Sequence, residues 1–435
     1  MNILLLGSGG REHVLAWKIH QSPLCKKLVI CPGNAGTLQY GKNCTLDISD
    51  FAAIKSLCVK EKIELVVVGP ELPLVNGIHD YFANDKKLAG IKFIGPSKMA
   101  AQLEGSKAFA KSFMKRHSIP TAAYREFTVD NFNEGLQYIK EHSLPVVLKA
   151  DGLASGKGVL ICMNHIEALA EFELVIMRAK FGEAGNRVVI EEFLEGIEMS
   201  LFVLTDGSEY VMLPEAKDYK RIGEGDTGLN TGGMGAVSPV PFFTGELKKN
   251  IEASIIAPTV AGLQQDEFKY TGFIFIGLMV KDTEAWVIEY NCRLGDPESE
   301  VVIPRLQNDL VELLIAAAEN KLSGIRIKID PRAVATVMAV SGGYPGPFKT
   351  GKEITGIDQN EIEGSMIFHA GTKMENKKTV TSGGRVLAVT SYGDSIREAA
   401  EQSNYVMDHL HFDEMNYRTD IGNEFFNETV SNVNG

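Results

Sequence analysis

Apolar residues in the first hundred positions gather in short runs at 2–6, 27–31, 64–68 and 91–94, rich in Leu, Ile and Val. Runs this short and this continuously apolar predict strands covered on both faces. Between them, 12–21 and 50–61 space their apolar residues at helical intervals. Strand and helix alternate, which predicts an open parallel α/β sheet with right-handed crossovers. Each run ends in a loop rich in Gly or Pro: Gly7-Ser-Gly-Gly-Arg-Glu12, Pro32-Gly-Asn-Ala-Gly36, Gly69-Pro-Glu71 and Gly95-Pro-Ser97. Ligands of open α/β sheets sit at the carboxyl ends of strands, where these loops lie.

From about residue 103 the pattern changes. A basic amphipathic helix is predicted over 106–116, and strands over 145–149, 159–162, 187–193, 200–205, 273–280 and 286–290. The glycine-rich stretch 223–235 reads as a long loop, a class that is usually functional or disordered. A helix over 306–320 closes the region, and 321–324 reads as a linker. The last hundred residues carry strands at 333–340, 366–370 and 385–390 and a helix at 395–407, a small α+β domain. The expected division is therefore 1–102, 103–325 and 326–435.

Net charge is −12. An acidic chain argues against broad nucleic-acid binding, which needs clustered Lys and Arg, but small phosphorylated ligands need only local cations and N–H groups. Six cysteines form no C-x-x-C pair and no zinc spacing, and read as reduced thiols of a cytoplasmic protein. The N-terminal run is short, lacks a basic flank and reads as a strand. No stretch approaches 18 apolar residues, so no membrane span is expected.

The first loop resembles a dinucleotide fingerprint, but Glu12 stands where its third glycine belongs and the second strand ends without an acidic residue. Two readings remain for it. Gly9 and Gly10 let amides approach an anion at a helix N-terminus with Arg11 adding charge, or the loop is a tight turn with a surface arginine. Gly33 and Asn34 in the next loop favour a phosphosugar pocket. Glu71 either accepts ribose hydroxyls or caps a helix.

The segment Pro145-Val-Val-Leu-Lys-Ala-Asp-Gly-Leu-Ala-Ser-Gly-Lys-Gly-Val159 falls one residue short of a Walker loop and has Gly158 where that loop has Ser or Thr. It reads as strand, glycine-rich flap, strand. Lys149 points from a strand at a phosphate, and Gly156, Lys157 and Gly158 close over a nucleotide. Further on, Glu191 to Leu194 is either a hinge offering backbone groups to an adenine edge, with Glu198 on the ribose, or an acidic turn. In Val287-Ile-Glu-Tyr-Asn-Cys-Arg293, period-two alternation puts Glu289, Asn291 and Arg293 on one face if the strand persists. That face offers oxygen ligands for Mg²⁺ or Mn²⁺ and a guanidinium for a phosphoryl group or a carboxylate.

In order and spacing, the stretches GSGGREHVLAWK, PGNAGT, VVGPELPLVNG, QLEGSKAFAK, VLKADGLASGKGV, EEFLEG, DTGLNTGGMGAVSP, IEYNCRLGDPE and FHAGT resemble the ATP-grasp ligases, and within them the glycinamide ribonucleotide synthetase family. The resemblance spans almost the whole chain. It implies a central ATP-grasp domain of two α+β halves clamping ATP, with a mobile flap at about 121–194, and a C-terminal domain that completes the cleft. It also implies ATP and Mg²⁺ or Mn²⁺ as cofactors, glycine and phosphoribosylamine as small-molecule substrates, and possible transient contact with neighbouring purine-pathway enzymes. On this resemblance Lys107 and Lys149 are phosphate lysines, Glu191, Leu194 and Glu198 hold adenine and ribose, and Glu289 and Asn291 hold metal. Arg293, Lys149, Asp218 and Lys220 form the catalytic set, and the first-domain loops with Asp296 face the amine. Lys217 and Tyr219 depart from the family's pattern, so no role is assigned to Glu215 or Lys217. An ATP-grasp ligase for another acid–amine pair, or a nucleotide-binding regulator without catalysis, is the competing reading. Intact Lys149, Glu289, Asn291 and Arg293 argue against the second.

Overall fold

The computed structural model describes residues 1–153, 158–178, 180, 182–357 and 362–426. The four N-terminal apolar runs form parallel strands Asn2–Gly7, Lys27–Pro32, Leu65–Val68 and Lys92–Ile94. With the short strand Lys42–Asn43 they make a five-stranded sheet with Asn2–Gly7 at its centre. Its two faces feed separate apolar clusters, one on Ile3 and Leu5 and one on Leu4 and Leu6, as the unbroken apolar runs require.

The central region holds two antiparallel sheets. In one, the strands run in the order Tyr124–Thr128, Arg187–Glu192, Val146–Ala150 and Val159–Cys162, backed by helices Phe132–Glu141 and His165–Arg178 around Phe127 and Phe172. In the other, Tyr210–Met212, Ile197–Thr205, Gly272–Lys281 and Glu284–Asn291 pack against helix Lys107–Arg116 around Phe113 and Tyr290. Ser106 caps that helix by accepting from the Phe109 N–H at 3.1 Å.

A fourth sheet unites distant segments in the order Lys217–Asp218, Gly235–Ser238, Ala333–Val340, Arg385–Gly393 and Ser365–His369. Helix Ile396–Met407 covers it. Two strands of the central region thus join a sheet built mostly from the last hundred residues.

Two expectations are corrected. The stretch 223–235 is not a long loop. Arg221–Gly223 and Thr227–Asn230 form a hairpin, tied to the C-terminal segment by Arg418 Nη1 to Asp226 Oδ1 at 2.7 Å and the Gly225 N–H to Asp420 Oδ2 at 2.8 Å. The helix expected from 306 starts at Leu310, because Asp309 caps it, accepting from the Val311 and Glu312 N–H groups at 2.8 and 3.2 Å. Leu306 is extended and bridges to Ile329 instead. Among the described residues no helix is long and apolar enough to cross a membrane.

Candidate active site

Three lysines from different elements face the last strand of the second central sheet. Lys107 opens helix Lys107–Arg116 and donates to the Gly152 carbonyl at 2.9 Å. Lys149 lies near the end of Val146–Ala150 and is buried, with Nζ 2.9 Å from Glu191 Oε2 and 3.2 Å from the Ile288 carbonyl. Lys220 follows strand Lys217–Asp218 and pairs with Glu198. Burial disfavours charge on Glu289, but Lys220, Lys107 and Lys149 outweigh it and hold the carboxyl below its ordinary range. Burial also works against the Lys220 ammonium, and Asp218, Glu198 and Glu289 raise it well above the ordinary lysine range.

Asn291 Nδ2 donates to Glu289 Oε1 at 3.4 Å, and Arg293 Nη2 donates to Asn291 Oδ1 at 3.3 Å. The expected row of carboxylate, amide and guanidinium therefore exists, although the strand ends at Asn291. Arg293 sits between two carboxylates, 2.7 Å from Glu104 Oε1 and 3.2 Å from Glu71 Oε2. Burial opposes ionisation of Glu71, but Arg293 and Arg11 pull its carboxyl below the ordinary range. Glu104 is more deeply buried, and there burial wins and raises its carboxyl despite Arg293. Asp218 is raised by burial against the pull of Lys220, and Glu298 is pushed up to about 8 by burial and by Asp218.

A second cavity, of about 440 Å³, opens at the ends of the N-terminal strands. Ser8, Gly9, Gly33, Asn34, Asp296, Lys373 and Arg385 are among its lining residues. Asn34 donates from Nδ2 to the His369 carbonyl at 2.7 Å and the Ser8 carbonyl at 2.9 Å, joining first and last domains. Arg385 binds Asp296 Oδ1 at 2.8 Å and the Gly232 carbonyl at 2.6 Å.

The glycine turn departs from the second of its sequence readings, the tight turn with a surface arginine. The Gly9 N–H donates to Glu12 Oε2 at 2.6 Å and the Arg11 N–H to Asp296 Oδ2 at 3.2 Å, so two of its amides already hold carboxylates. Arg11 is not a surface residue. Its guanidinium turns inward to Glu12 Oε1 at 2.6 Å and the Leu294 carbonyl at 3.1 Å. Gly10 packs on Glu300, whose Oε1 lies 2.1 Å from where a Cβ would stand. The residue expected as a third glycine is thus the carboxylate that organises the turn.

Glu191 is buried against lysines, and among the described residues its Oε1 has no hydrogen-bond partner. Leu194 follows its strand, half-buried. Gly158 is buried. Gly156 and Lys157, expected to close over a nucleotide, lie outside the described residues. Sequence reasoning missed Glu104, Lys111, Glu298, Glu300 and Arg385. Only Lys111 carried a signal, being one helical turn from Lys107 and so on the same helix face.

Two antiparallel sheets with lysines and a carboxylate–amide pair between them define an ATP-grasp fold. The biotin carboxylase domain of Hydrogenobacter thermophilus 2-oxoglutarate carboxylase, crystallised with MgADP, ADP and bicarbonate, superposes with a TM-score of 0.72 over 96% of this chain and 92% of that one at 18% identity, which shows the fold alone. The chain belongs to the phosphoribosylglycinamide synthetase family: residues 1–104 match its N domain, 105–299 its ATP-grasp (A) domain and 334–424 its C domain. It is 46% identical to the phosphoribosylamine–glycine ligases of Vibrio vulnificus (strain YJ016) and Escherichia coli (strain K12), over 97% of this chain and 98% of each relative. The crystal structure of the Thermotoga maritima phosphoribosylamine–glycine ligase matches with a TM-score of 0.82 at 34% identity, over 97% of this chain and all of that one.

Proposed function

We propose that this chain joins glycine to 5-phosphoribosylamine at the expense of ATP, giving glycinamide ribonucleotide, ADP and phosphate in purine synthesis. One observation carries the reading. A single run of chain supplies Glu289 to the lysine cleft at one end and Asp296 to the second cavity at the other. A phosphorylated acid made at the first site thus has an amine site within a few residues of it.

ATP lies with its phosphates on Lys107 and Lys149. Its adenine meets Glu191 and Leu194, and its ribose Glu198. Glu191 Oε1, unpartnered among the described residues, supports this, because a buried acceptor without a donor is costly and an adenine amine would satisfy it. Among the described residues no three His, Cys, Asp or Glu cluster as a metal cage. Glu289 and Asn291 suit Mg²⁺ or Mn²⁺ nonetheless, because an ion shared with phosphates needs few protein oxygens and Glu289 is held ionised. Bound there, the ion would neutralise phosphate charge.

A glycine carboxylate oxygen attacks the γ-phosphorus and its bond to the β-bridging oxygen breaks, releasing ADP and leaving glycyl phosphate. The nitrogen of phosphoribosylamine then attacks the acyl carbon and sheds a proton, and the carbon–oxygen bond to phosphate breaks. No protein nucleophile takes part. The residues position and stabilise charge: Lys149 and Lys220 on the transferred phosphoryl group, Arg293 on the carboxylate, Asp218 beside Lys220. Gly9, Gly33, Asn34, Glu71 and Asp296 frame the amine. Arg11 and Gly10 act from behind, by fixing the turn. The six free cysteines fit a place in the cytoplasm, where transient contact with neighbouring purine enzymes would occur.

Glycine labelled with ¹⁸O in its carboxylate tests the route. An acyl phosphate transfers one label to inorganic phosphate. Unlabelled phosphate from a full turnover would rule the intermediate out.

A further inference from the structure

Lys111 has no part in the mechanism above, yet it is among the largest fully buried side chains of the protein. It follows Lys107 by one helical turn. Its ammonium donates to Thr121 Oγ1 at 2.7 Å and the Ala122 carbonyl at 3.3 Å, and lies 3.1 Å from Glu191 Oε2. The same carboxylate oxygen receives Lys149 at 2.9 Å. One oxygen thus sits between two buried ammonium groups, and the distances to it put those groups at most 6.0 Å apart.

Two like charges this close in a buried site repel strongly, so their coexistence has to be compensated by something that needs both. Burial is the main cause that brings Lys111 down to about 8, with Lys149 adding to it and Glu191 and Glu192 opposing. The Tyr124 ring, 5.5 Å away, completes its surroundings. A side chain serving only to fill this space would be apolar.

We propose that Lys111 is a positioning residue for the nucleotide: it neutralises the Glu191 carboxylate, so that the charge of Lys149 remains available to the ATP phosphates. Without Lys111, Lys149 and Glu191 form a pair with no net charge. With it, the group of three carries one net positive charge beside the phosphates. The same ammonium fixes the chain at Thr121 and Ala122, where it enters strand Tyr124–Thr128 of the flap sheet. The inference rests on the nucleotide site proposed above.

Equilibrium titration with MgATP and, separately, with adenosine tests it on the full-length protein. Lys111→Met should weaken MgATP about tenfold, by loss of one nearby charge, and adenosine less than about twofold. Lys111→Gln, which keeps donors toward Thr121 and Ala122, should behave alike and serves if the Met variant fails to fold. Thr121→Val keeps the charge and should leave MgATP affinity unchanged. In a Glu191→Gln background the Lys111→Met effect should shrink to about twofold, since no carboxylate remains to be neutralised. Equal losses for MgATP and adenosine, or wild-type MgATP affinity in both Lys111 variants, would overturn the proposal. Failure of the wild-type protein to bind MgATP would instead remove the nucleotide site itself, and this inference with it.

Discussion

Replacing Arg293 with Met removes a guanidinium while keeping most of its apolar stem. In the folded protein that guanidinium lies 2.7 Å from Glu104, whose side chain is only 4% exposed, and 3.2 Å from Glu71. Once it is gone, Glu104 keeps the Cys292 N–H at 2.8 Å as its remaining hydrogen-bond donor. Stranding one partner of a buried ion pair costs about 3–5 kcal/mol. Glu104 has an escape, because burial already raises its carboxyl and without Arg293 it takes up a proton. That limits the loss to the lower end, about 3 kcal/mol, or on the order of 1 M in the urea midpoint. Trp17 and Trp286, the two tryptophans, report unfolding of the N-terminal and central sheets by fluorescence. The double variant Arg293→Met, Glu104→Gln should recover at least half of the loss, since no buried carboxyl remains to be stranded. A single variant as stable as wild type, or a double variant less stable than the single, would refute the reasoning.

Other outcomes follow from the same geometry. Lys149→Ala and Glu289→Ala should each abolish ligation while far-ultraviolet circular dichroism stays at the wild-type level. Asn34→Ala loses donors to the His369 and Ser8 carbonyls and should cost about 1–3 kcal/mol in urea unfolding and raise KM for the amine. Glu300 is fully buried with both oxygens unpartnered among the described residues, and burial holds it well above the ordinary carboxylate range. Its folded form keeps a proton that the unfolded chain releases above about pH 4.3, so its penalty grows with pH. Glu300→Gln should therefore unfold at higher urea than wild type at pH 8, with the gap closing toward pH 5. Lys111 loses its proton above about 8, so the wild-type Kd for MgATP should climb through that range while that of Lys111→Met stays flat.

The N-terminal sheet was legible because each strand is an unbroken apolar run and each ends in a glycine or proline loop. Lys149 was legible for a related reason, since a cation at the end of an apolar strand has to face a partner. Lys111 was not, because on a basic amphipathic helix a lysine reads as solvated until the packing of Thr121 and Glu191 over it is known. The fourth sheet was hidden more thoroughly. Strand Lys217–Asp218 is two residues long, and Gly235–Ser238 pairs with Ala333–Val340 about a hundred residues later. No local period encodes such a pairing. The hairpin at 221–230 looked like a loop because its glycines mask its strands, and what holds it, Arg418 and Asp420, lies far along the chain. Glu12 shows the reverse, a recognisable motif position whose side chain does a different job.

The central claim is that ATP cleavage in the lysine cleft is tied to joining glycine and phosphoribosylamine. ADP release is measured with MgATP while each substrate is present or omitted, the amine being generated from ribose 5-phosphate and ammonia. Sustained ADP formation is expected only with both, together with glycinamide ribonucleotide by mass spectrometry. Sustained ADP release without glycine, or none under any condition, would contradict it.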